Sequence, residues 1–421
     1  MKPVLAFPFQ KRILIAVSGG IAAYKICEVI STLAKAGGEV RAILTDSAQQ
    51  FITPLTIATL CRHQVYTDAD FWQPTHGRPL HIQLGEWAEL FVIAPLTANT
   101  LAKISVGMAD NLLTNTLLAS SCPVLLVPAM NRQMWQQNIV QQNWQRVLND
   151  GRFHGIAPVA GVLACDLPQE KSEGWQVGSG RMAEPQQILA YIESLVRTGG
   201  KRDLVGKQVL VSAGGTREHL DPVRFIGNPS TGKMGLAVAQ AAVHRGARVT
   251  LVQAAISAEL LALLPDEVEV VYVTTAEQMR RAMLERFAQA DLTVMAAAVG
   301  DVQPVDYCDR KLSKADLPTV LPLKHCADIL AELGKIKQPP QFLVGFAAQT
   351  GDILTPALGK LEAKNLDVIV ANPVDKPNAG FGSDTNTAIL INNIGKQVNI
   401  EGCSKLTLAH HLFNFIEMGK Q

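Results

Sequence analysis

Apolar residues in the first half of the chain form short continuous runs that alternate with segments of helical spacing. Four runs have the length of buried strands, at 12–17, 39–45, 90–94 and 123–128. The segment 21–35 places Ile26, Ile30 and Leu33 on one helical face, and further helices are predicted at 97–107, 110–119 and 132–149. This alternation predicts an α/β domain with a doubly wound parallel sheet that binds ligands at the carboxyl ends of its strands.

The same alternation restarts after a charged, glycine-containing segment at 197–206, which we interpret as the boundary between two domains, 1–200 and 201–421. Strands are predicted at 208–213, 247–252, 291–297, 342–347 and 366–371, and helices at 232–245, 275–289 and 355–364. A hairpin at 388–400 and a helix at 405–418 complete the second domain. The stretch 302–325 lacks a strong period but carries Asp and Lys, and is interpreted as a functional loop.

Composition excludes several classes of protein. The 421 residues include 38 basic and 37 acidic ones, so no excess of positive charge favours binding to nucleic acid or to an anionic membrane. The uncharged stretch 111–131 is interrupted by polar residues and proline, which favours a helix end and a buried strand over a membrane span. Seven scattered cysteines without Cys-x-x-Cys, and no signal-peptide pattern, predict a cytoplasmic protein.

Glycine and polar residues cluster where the predicted strands of the first half end. Ser18-Gly19-Gly20 follows the first strand, where glycine lets the backbone approach a phosphate, although an ordinary tight turn is as good an interpretation. Thr45-Asp46-Ser47 follows the second strand. The segment 94–100 follows the third, where an ordinary helix cap is the simpler interpretation, and Pro128-Ala129-Met130-Asn131 follows the fourth.

Two further residues could carry chemistry in this half. A lone histidine such as His81 is more often structural than catalytic. Cys165 lies in a long glycine-rich loop, which is an unusual place for an inert core thiol.

As a set, these residues resemble the homo-oligomeric flavin-containing cysteine decarboxylases, which have a flavodoxin-like fold. The resemblance rests on 18–25, His81 and the residues after it, 94–99, 128–131 with Met134, Ala164-Cys165 and 180–182. It implies that His81 is the catalytic histidine beside FMN, that Asn131 holds a substrate carboxylate, and that Cys165 is the acid that completes reduction. The residues that it implies line FMN are Ser18, Gly20, Thr45, Ser47, Thr97, Ala98, Asn99 and Thr100.

The most informative segment is 212–235, which runs from a predicted strand through a Gly/Ser/Thr-rich loop into a predicted helix. This arrangement favours a phosphate or nucleotide loop over a structural turn. Lys360 and Lys364 lie on one face of a later helix, where a solvated surface is the usual interpretation, but lysines near several strand ends also suit a triphosphate.

The segment 212–235 matches the ligase signature of coenzyme A synthesis, so that the whole chain resembles the bifunctional phosphopantothenoylcysteine decarboxylase/phosphopantothenate–cysteine ligases. The resemblance implies a Rossmann-like ligase domain that joins 4′-phosphopantothenate to cysteine with CTP and Mg²⁺, and a homo-oligomer. In it Asn228 would act on an acyl-cytidylate and Lys311 would support its formation. The residues that it implies bind CTP are Asp301, Lys311, Phe346, Lys360 and Lys364.

The chain departs from the family pattern at several positions. Residues 167–177 lengthen the loop after Cys165, Cys326-Ala327 stands where Asn-Pro is common, and Gly227 and Gln349 replace a frequent Ser and Glu. Two alternatives remain: a non-catalytic flavoprotein, against which His81, Asn131 and Cys165 argue, and a nicotinamide-dependent reductase, against which the missing Gly-x-Gly-x-x-Gly argues.

Overall fold

The computed structural model describes residues 11–73, 77–161, 178–375, 380 and 382–418. The chain divides into two compact units and passes from the first to the second between Gly200 and Lys201. Among the described residues no helix is both long and apolar enough to span a bilayer.

The first unit is built on a six-stranded parallel sheet with the order β3-β2-β1-β4-β5-β6. The order reverses between β1 and β4, so the loops that follow these two strands diverge and leave a crevice between them. The strands are β1 (Arg12–Val17), β2 (Glu39–Leu44), β3 (Val65–Thr67), β4 (Leu90–Leu96), β5 (Val124–Pro128) and β6 (Phe153–Gly155); a separate antiparallel pair is formed by β7 (Val159–Gly161) and β8 (Gly178–Arg181).

Helices cover both faces of this sheet. Alternate residues of β1 face opposite cores, with Ile13 and Ile15 in one and Leu14 and Ala16 in the other, which explains why the strand is apolar throughout. The helices are α1 (Ala23–Lys35), α2 (Pro54–Cys61), α3 (Asp68–Phe71), α4 (Leu80–Trp87), α5 (Ala98–Val106), α6 (Leu112–Ala119), α7 (Arg132–Gln136), α8 (Asn138–Leu148) and α9 (Pro185–Thr198), with a 3-10 turn at Ala48–Gln50.

The second unit has an eight-stranded sheet with the order β13-β12-β9-β14-β17-β18-β19-β20. It is parallel from β13 to β18, and β19 and β20 extend it as an antiparallel hairpin. The strands are β9 (Gln208–Gly214), β12 (Arg248–Ala254), β13 (Glu269–Val273), β14 (Leu292–Met295), β17 (Phe342–Gln349), β18 (Val368–Pro373), β19 (Thr385–Asn392) and β20 (Gln397–Ser404).

Two short antiparallel pairs stand outside this sheet, β10 (Arg217–His219) with β11 (Phe225–Gly227) and β15 (Val302–Pro304) with β16 (Leu323–His325). The helices of the unit are α10 (Lys233–His244), α11 (Ala258–Leu261), α12 (Ala276–Phe287), α13 (Ile329–Ile336), α14 (Leu354–Ala363) and α15 (Lys405–Met418). The order of the main sheet reverses between β9 and β14, which places a second crevice at their carboxyl ends.

The predicted fold class, two doubly wound α/β domains, is confirmed. The single helix predicted at 132–149 was wrong, because Gln137 has an extended backbone (ψ 131°) that separates α7 from α8. The stretch 302–325 was predicted as a functional loop, and the structure forms the short strands β15 and β16 at its two ends.

Candidate functional sites

A pocket of about 690 Å³ opens at the carboxyl end of the first sheet, around the crevice between β1 and β4. Of the residues expected to line FMN, Gly20, Thr97, Ala98 and Asn99 line it, as does Asn131. Ser18, Thr45, Ser47 and Thr100 are not in its wall. The remaining wall is formed by Gly19, Ile21, Ala22, Tyr24, Lys25, Ala129, Met130, Met134, Gly180, Arg181 and Met182.

Ser18 holds the two loops at this crevice together. Its side chain is buried, and its hydroxyl donates to the Pro95 carbonyl at 2.6 Å while accepting from the Thr97 backbone N–H at 3.0 Å. Thr97 in turn caps α5, because its side chain accepts from the Thr100 N–H. The polar groups that sequence analysis assigned to the cofactor therefore also build the frame of the pocket.

Gly19 is required by close packing against the next loop. A Cβ atom at this position would lie 2.3 Å from the Cβ of Ser47, whereas a Cβ at Gly20 would meet nothing within 4 Å. The loop at Thr45 is fixed as well, since the Thr45 side chain accepts from the Ala48 N–H. The loop that contains Thr45 and Ser47 thus packs against the turn at Ser18–Gly20 without lining the pocket.

Asn131 stands at the start of α7, where its side-chain oxygen accepts from the Gln133 N–H at 2.8 Å. This cap uses the carbonyl oxygen of the amide and leaves the NH₂ group, with its two donors, for a ligand. The residue lies in the pocket wall, so the arrangement suits a carboxylate.

A charged network that the sequence analysis did not assign closes one side of the pocket. The buried Lys25 forms an ion pair with Glu184 at 3.1 Å, and Arg181 reaches the same carboxylate at 2.6 Å. Lys25 belongs to α1 and Arg181 to β8, so Glu184 joins the two elements. The signal for this network was the lysine within the apolar helix α1.

His81 is not among the residues that line this pocket. His81 lies in the first turn of α4, with its ring edge-on to Phe71 at 5.4 Å. Its Nδ1 atom is buried and has no hydrogen-bond partner within the described part of the chain. Cys165 falls outside the described residues.

The second unit has a pocket of about 650 Å³ at the carboxyl ends of β9 and β14. Of the residues expected to bind CTP, Asp301, Phe346 and Lys364 lie in its wall, as does Asn228. Lys311 and Lys360 are not in the wall. The other wall residues are Ser230, Thr231, Gly232, Lys233, Met234, 295–299, Gly300, 325–330, Ala348, Asn372, Val374, Gly380, Gly382, Asn386 and Lys405.

The loop of 214–232 is folded tightly against the strand ends. A Cβ at Gly215 would lie 2.6 Å from the Asn228 carbonyl, so glycine permits this close approach. The Asn228 side chain donates to the Val299 carbonyl at 3.2 Å. Asn228 therefore bridges the loop and the segment that follows β14, and its side chain is exposed to the pocket.

Asp301 lies near the carboxylate of Glu218 and the thiol of Cys326. The Cys326 N–H donates to the Asp301 carbonyl, and Glu218 is buried nearby, where its carboxylate accepts from the Ala276 N–H that begins α12. Burial raises the pKa of the Cys326 thiol, and the negative charges of Glu218 and Asp301 raise it further. Cys326 is thus held as a neutral thiol at one end of the pocket.

Two of the predicted lysines act together on one carboxylate. Lys364 donates to Asp328 at 2.7 Å. Although partial burial opposes it, this bond and the N–H of Ala331 lower the pKa of Asp328, with a further contribution from Lys360. Lys360, Lys364 and Asp328 together therefore carry a net positive charge beside the pocket.

Lys311 is positioned indirectly, through the buried carboxylate of Asp221. Asp221 accepts from the backbone N–H groups of Val223, Arg224 and Leu312 and pairs with the Arg224 guanidinium at 2.5 Å. Burial would raise the pKa of Asp221, but these donors outweigh it and lower the pKa to about 2. Arg224 also donates to the Leu312 carbonyl, so the residue next to Lys311 is anchored to the signature loop.

Comparison with known proteins covers nearly the whole chain. A family model described as "Flavoprotein" matches residues 9–197, and one described as "DNA/pantothenate metabolism flavoprotein C-terminal domain" matches residues 204–418. The chain is 42% identical over 407 residues to the coenzyme A biosynthesis bifunctional protein CoaBC of Bacillus subtilis (strain 168), with 97% of each chain covered.

Two other relatives are similar to the chain over most of its length. It is 37% identical over 408 residues to the CoaBC protein of Haemophilus influenzae, covering 96% of this chain and 97% of that one. It is 41% identical over 351 residues to a cysteine/cysteine sulfinic acid decarboxylase from an unknown prokaryotic organism, covering 82% of this chain and 94% of that one.

Proposed function

The chain belongs to the family of bifunctional coenzyme A biosynthesis proteins, with a flavoprotein domain followed by a ligase domain. We propose that each of its two units catalyses one of the two reactions. Residues 1–200 form the FMN-dependent phosphopantothenoylcysteine decarboxylase, and residues 201–421 form the CTP-dependent phosphopantothenate–cysteine ligase. The observation that carries this proposal is the presence of a separate pocket at the carboxyl end of each sheet, lined by motif residues of its own unit.

FMN fits the pocket of the first unit. The volume of about 690 Å³ lies within the range of cofactor sites, and the absence of any atom near a Cβ at Gly20 leaves room beside the backbone. Gly20, Thr97, Ala98 and Asn99 would hold the cofactor, while Ser18, Thr45, Ser47 and Thr100 support the loops that carry these residues. When bound, FMN would supply reversible oxidation of the substrate thiol, which provides an electron sink for the loss of CO₂.

Within that chemistry the residues of this chain bind the substrate and move protons. The free NH₂ group of Asn131 would orient the substrate carboxylate without neutralising it, which leaves the carboxylate ready to depart as CO₂. Cys165 would return the proton that completes reduction. His81 would serve as the histidine beside the flavin.

The position of His81 supports a homo-oligomer. Its Nδ1 has no hydrogen-bond partner among the residues that the structure describes, and the pocket has exposed apolar side chains at Ile21, Tyr24 and Met134. A second copy placed against this surface would bury these side chains and could bring its own His81 to the flavin. The oligomer would act in the cytoplasm, since seven scattered cysteines suit a reducing compartment.

In the second unit, a carboxylate must be activated before an amine can attack it. CTP would convert the carboxylate of 4′-phosphopantothenate to an acyl-cytidylate with release of pyrophosphate, and the cysteine amine would then displace CMP. Lys360, Lys364 and Lys311 would offset the phosphate charge together with Mg²⁺. Asp301 and Phe346 would hold the nucleotide, and Asn228 would donate to the intermediate as it forms and breaks down.

The first unit has a second candidate substrate, free cysteine or cysteine sulfinic acid, because one relative with 41% identity carries that activity in its name. The two candidates differ in what the pocket must accept, since free cysteine has an ammonium group where the larger substrate has an amide. Release of CO₂ from cysteine alone, without phosphopantothenate, would favour this alternative.

The nucleotide and metal are tested by measuring ligation with the purified protein. 4′-Phosphopantothenate and cysteine are supplied with CTP, ATP, GTP or UTP in turn, with Mg²⁺ or with a chelator. We expect CMP, pyrophosphate and either the coupled product or the 4′-phosphopantetheine formed from it, with CTP and Mg²⁺ only. Equal ligation with ATP, or undiminished ligation in the chelator, would contradict the assignment of CTP or of Mg²⁺ respectively.

A further inference from the structure

Lys405 is a buried lysine in the wall of the ligase pocket. The residue is only 8% exposed, yet among the described residues its ammonium group makes no hydrogen bond and no ion pair. Lysine is rarely buried without a partner, because removing an ammonium group from water is costly. A buried cation that faces a pocket and has no partner within the described ranges indicates that its partner is a ligand.

The neighbouring charges do not neutralise Lys405. Lys233 lies close by and is already paired, since its ammonium group donates to Asp384 at 2.5 Å and to the Gly382 carbonyl at 3.1 Å. The three side chains therefore carry one net positive charge. Burial and the charge of Lys233 lower the pKa of Lys405 to about 8, while Asp384 and Cys403 oppose that shift.

Two helices begin at this end of the pocket. Lys233 is the first residue of α10, whose cap residue Gly232 provides no side-chain hydrogen bond, and Lys405 is the first residue of α15. The free N–H groups at the start of a helix attract anions, so a lysine in the first turn is unfavourable in the absence of a ligand. Both helices therefore begin with a lysine, against the usual preference for acidic residues in the first turn. Such departures from local preference are expected at functional sites.

We propose that Lys405, supported by Lys233, binds a phosphate group of a ligand in the ligase pocket. The inference rests on the proposed ligase function and extends it, because neither lysine was assigned a role by the sequence signature. Two ligands of the reaction carry phosphate, the nucleoside triphosphate and 4′-phosphopantothenate. Either would give the ammonium group of Lys405 the counter-charge that it lacks.

The test uses calorimetric titration of the purified full-length protein and its variants Lys405→Met, Lys405→Arg and Lys335→Met. Lys335 is an exposed residue at the end of α13 and serves as the matched control for loss of one positive charge. The titrants are inorganic tripolyphosphate, CTP, CMP and 4′-phosphopantothenate. Thermal unfolding of each variant checks that it is folded.

We expect Lys405→Met to weaken the binding of at least one phosphate ligand by about tenfold or more, with Lys405→Arg retaining most of the affinity. Weaker binding of CTP and tripolyphosphate would identify the triphosphate as the source, and weaker binding of 4′-phosphopantothenate alone would identify the substrate. Unchanged affinity for all four titrants, relative to Lys335→Met, would overturn the proposal.

A second measurement keeps the proposal testable if Lys405→Met does not fold. With a pKa of about 8, Lys405 is partly neutral near that pH and should take up a proton when phosphate binds. Calorimetry in two buffers of different ionisation enthalpy measures this uptake. Wild-type protein should take up more protons than Lys405→Arg, and equal uptake would contradict the proposal.

Failure of the ligase assignment and failure of the phosphate site would give different results. If wild-type protein failed to ligate with CTP but bound tripolyphosphate through Lys405, the ligase assignment would fail and the phosphate site would stand. If ligation proceeded normally in Lys405→Met with unchanged affinities, the phosphate site would fail and the ligase assignment would stand.

Discussion

Asn228 and Asp221 lie in the same signature loop, but their surroundings give them different tasks. Asn228 is exposed in the pocket and donates to the Val299 carbonyl, whereas Asp221 is buried beneath the loop and accepts several hydrogen bonds. The first is placed to contact a ligand and the second to hold the loop in shape. Substitutions at the two positions should therefore affect different observables.

Replacement of Asn228 by Asp should abolish most ligation and spare decarboxylation. The new carboxylate cannot donate to Val299 and would repel the phosphates, and loss of one such donor typically costs on the order of 100-fold in rate. The measurement is the rate of each half-reaction with its own substrate supplied. Asn393→Asp, the same change on the exposed β19–β20 turn, is the control, and an equal loss of both activities in Asn228→Asp would contradict separate sites.

Replacement of Asp221 by Asn should reduce stability in a pH-dependent way. The carboxylate has a pKa of about 2 in the folded protein against 3.8 ordinarily, so its contribution is fully present above about pH 4 and is lost as pH falls towards 2. Urea unfolding of the wild type and of Asp221→Asn at several pH values measures this. The difference in the free energy of unfolding should shrink on acidification, and the exposed Asp309→Asn should show no such trend.

Many of the residues that face the pockets could be predicted from the sequence. Residues whose role depends on partners far away in the sequence could not. Asn131, Asn228 and Asp301 could be found because they follow strand ends in recognisable motifs. Lys25 and Lys405 could not, since their importance lies in burial and in neighbours that are far away in sequence. The local sign was a lysine at or near the start of a helix whose other buried positions are mostly apolar.

At the scale of elements, the turn between β1 and α1 is fixed by contact with the loop after β2. Replacement of Gly19 by Ala would force a Cβ to within 2.3 Å of Ser47, whereas Ala at Gly20 would enter open space. We expect Gly19→Ala to lose about 1–3 kcal/mol of unfolding free energy and to retain less flavin, because overpacking displaces the loop. Gly20→Ala should unfold like the wild type; equal destabilisation would contradict the packing described.

Strands buried on both faces could be predicted because they are continuous apolar runs, as in β1, β4 and β5. The short pairs, β10 with β11 and β15 with β16, could not, since three-residue strands leave no period to detect. The break between α7 and α8 was missed for a related reason. Apolar positions continue at helical spacing across Gln137, although its backbone is extended.

At the scale of the whole molecule, the two pockets belong to separate units, each with its own sheet and core. Variants that disable different pockets should therefore complement each other when mixed. Asn131→Asp keeps the cap of α7 but repels the substrate carboxylate, and Asn228→Asp blocks ligation.

With phosphopantothenate, cysteine and CTP, Asn131→Asp alone should accumulate phosphopantothenoylcysteine. Asn228→Asp alone should form almost no coupled product. Their mixture should form 4′-phosphopantetheine, which chromatography with mass detection measures. A mixture as inactive as either variant would show that the two residues serve one site.

The most direct test of the account is product analysis by mass spectrometry after incubation of the wild-type, flavin-containing protein with 4′-phosphopantothenate, cysteine, CTP and Mg²⁺. We expect to detect 4′-phosphopantetheine, which is lighter by one CO₂ than the coupled acid, together with CMP and pyrophosphate. A coupled acid that retains its carboxylate, or CO₂ released from cysteine with phosphopantothenate unchanged, would contradict it.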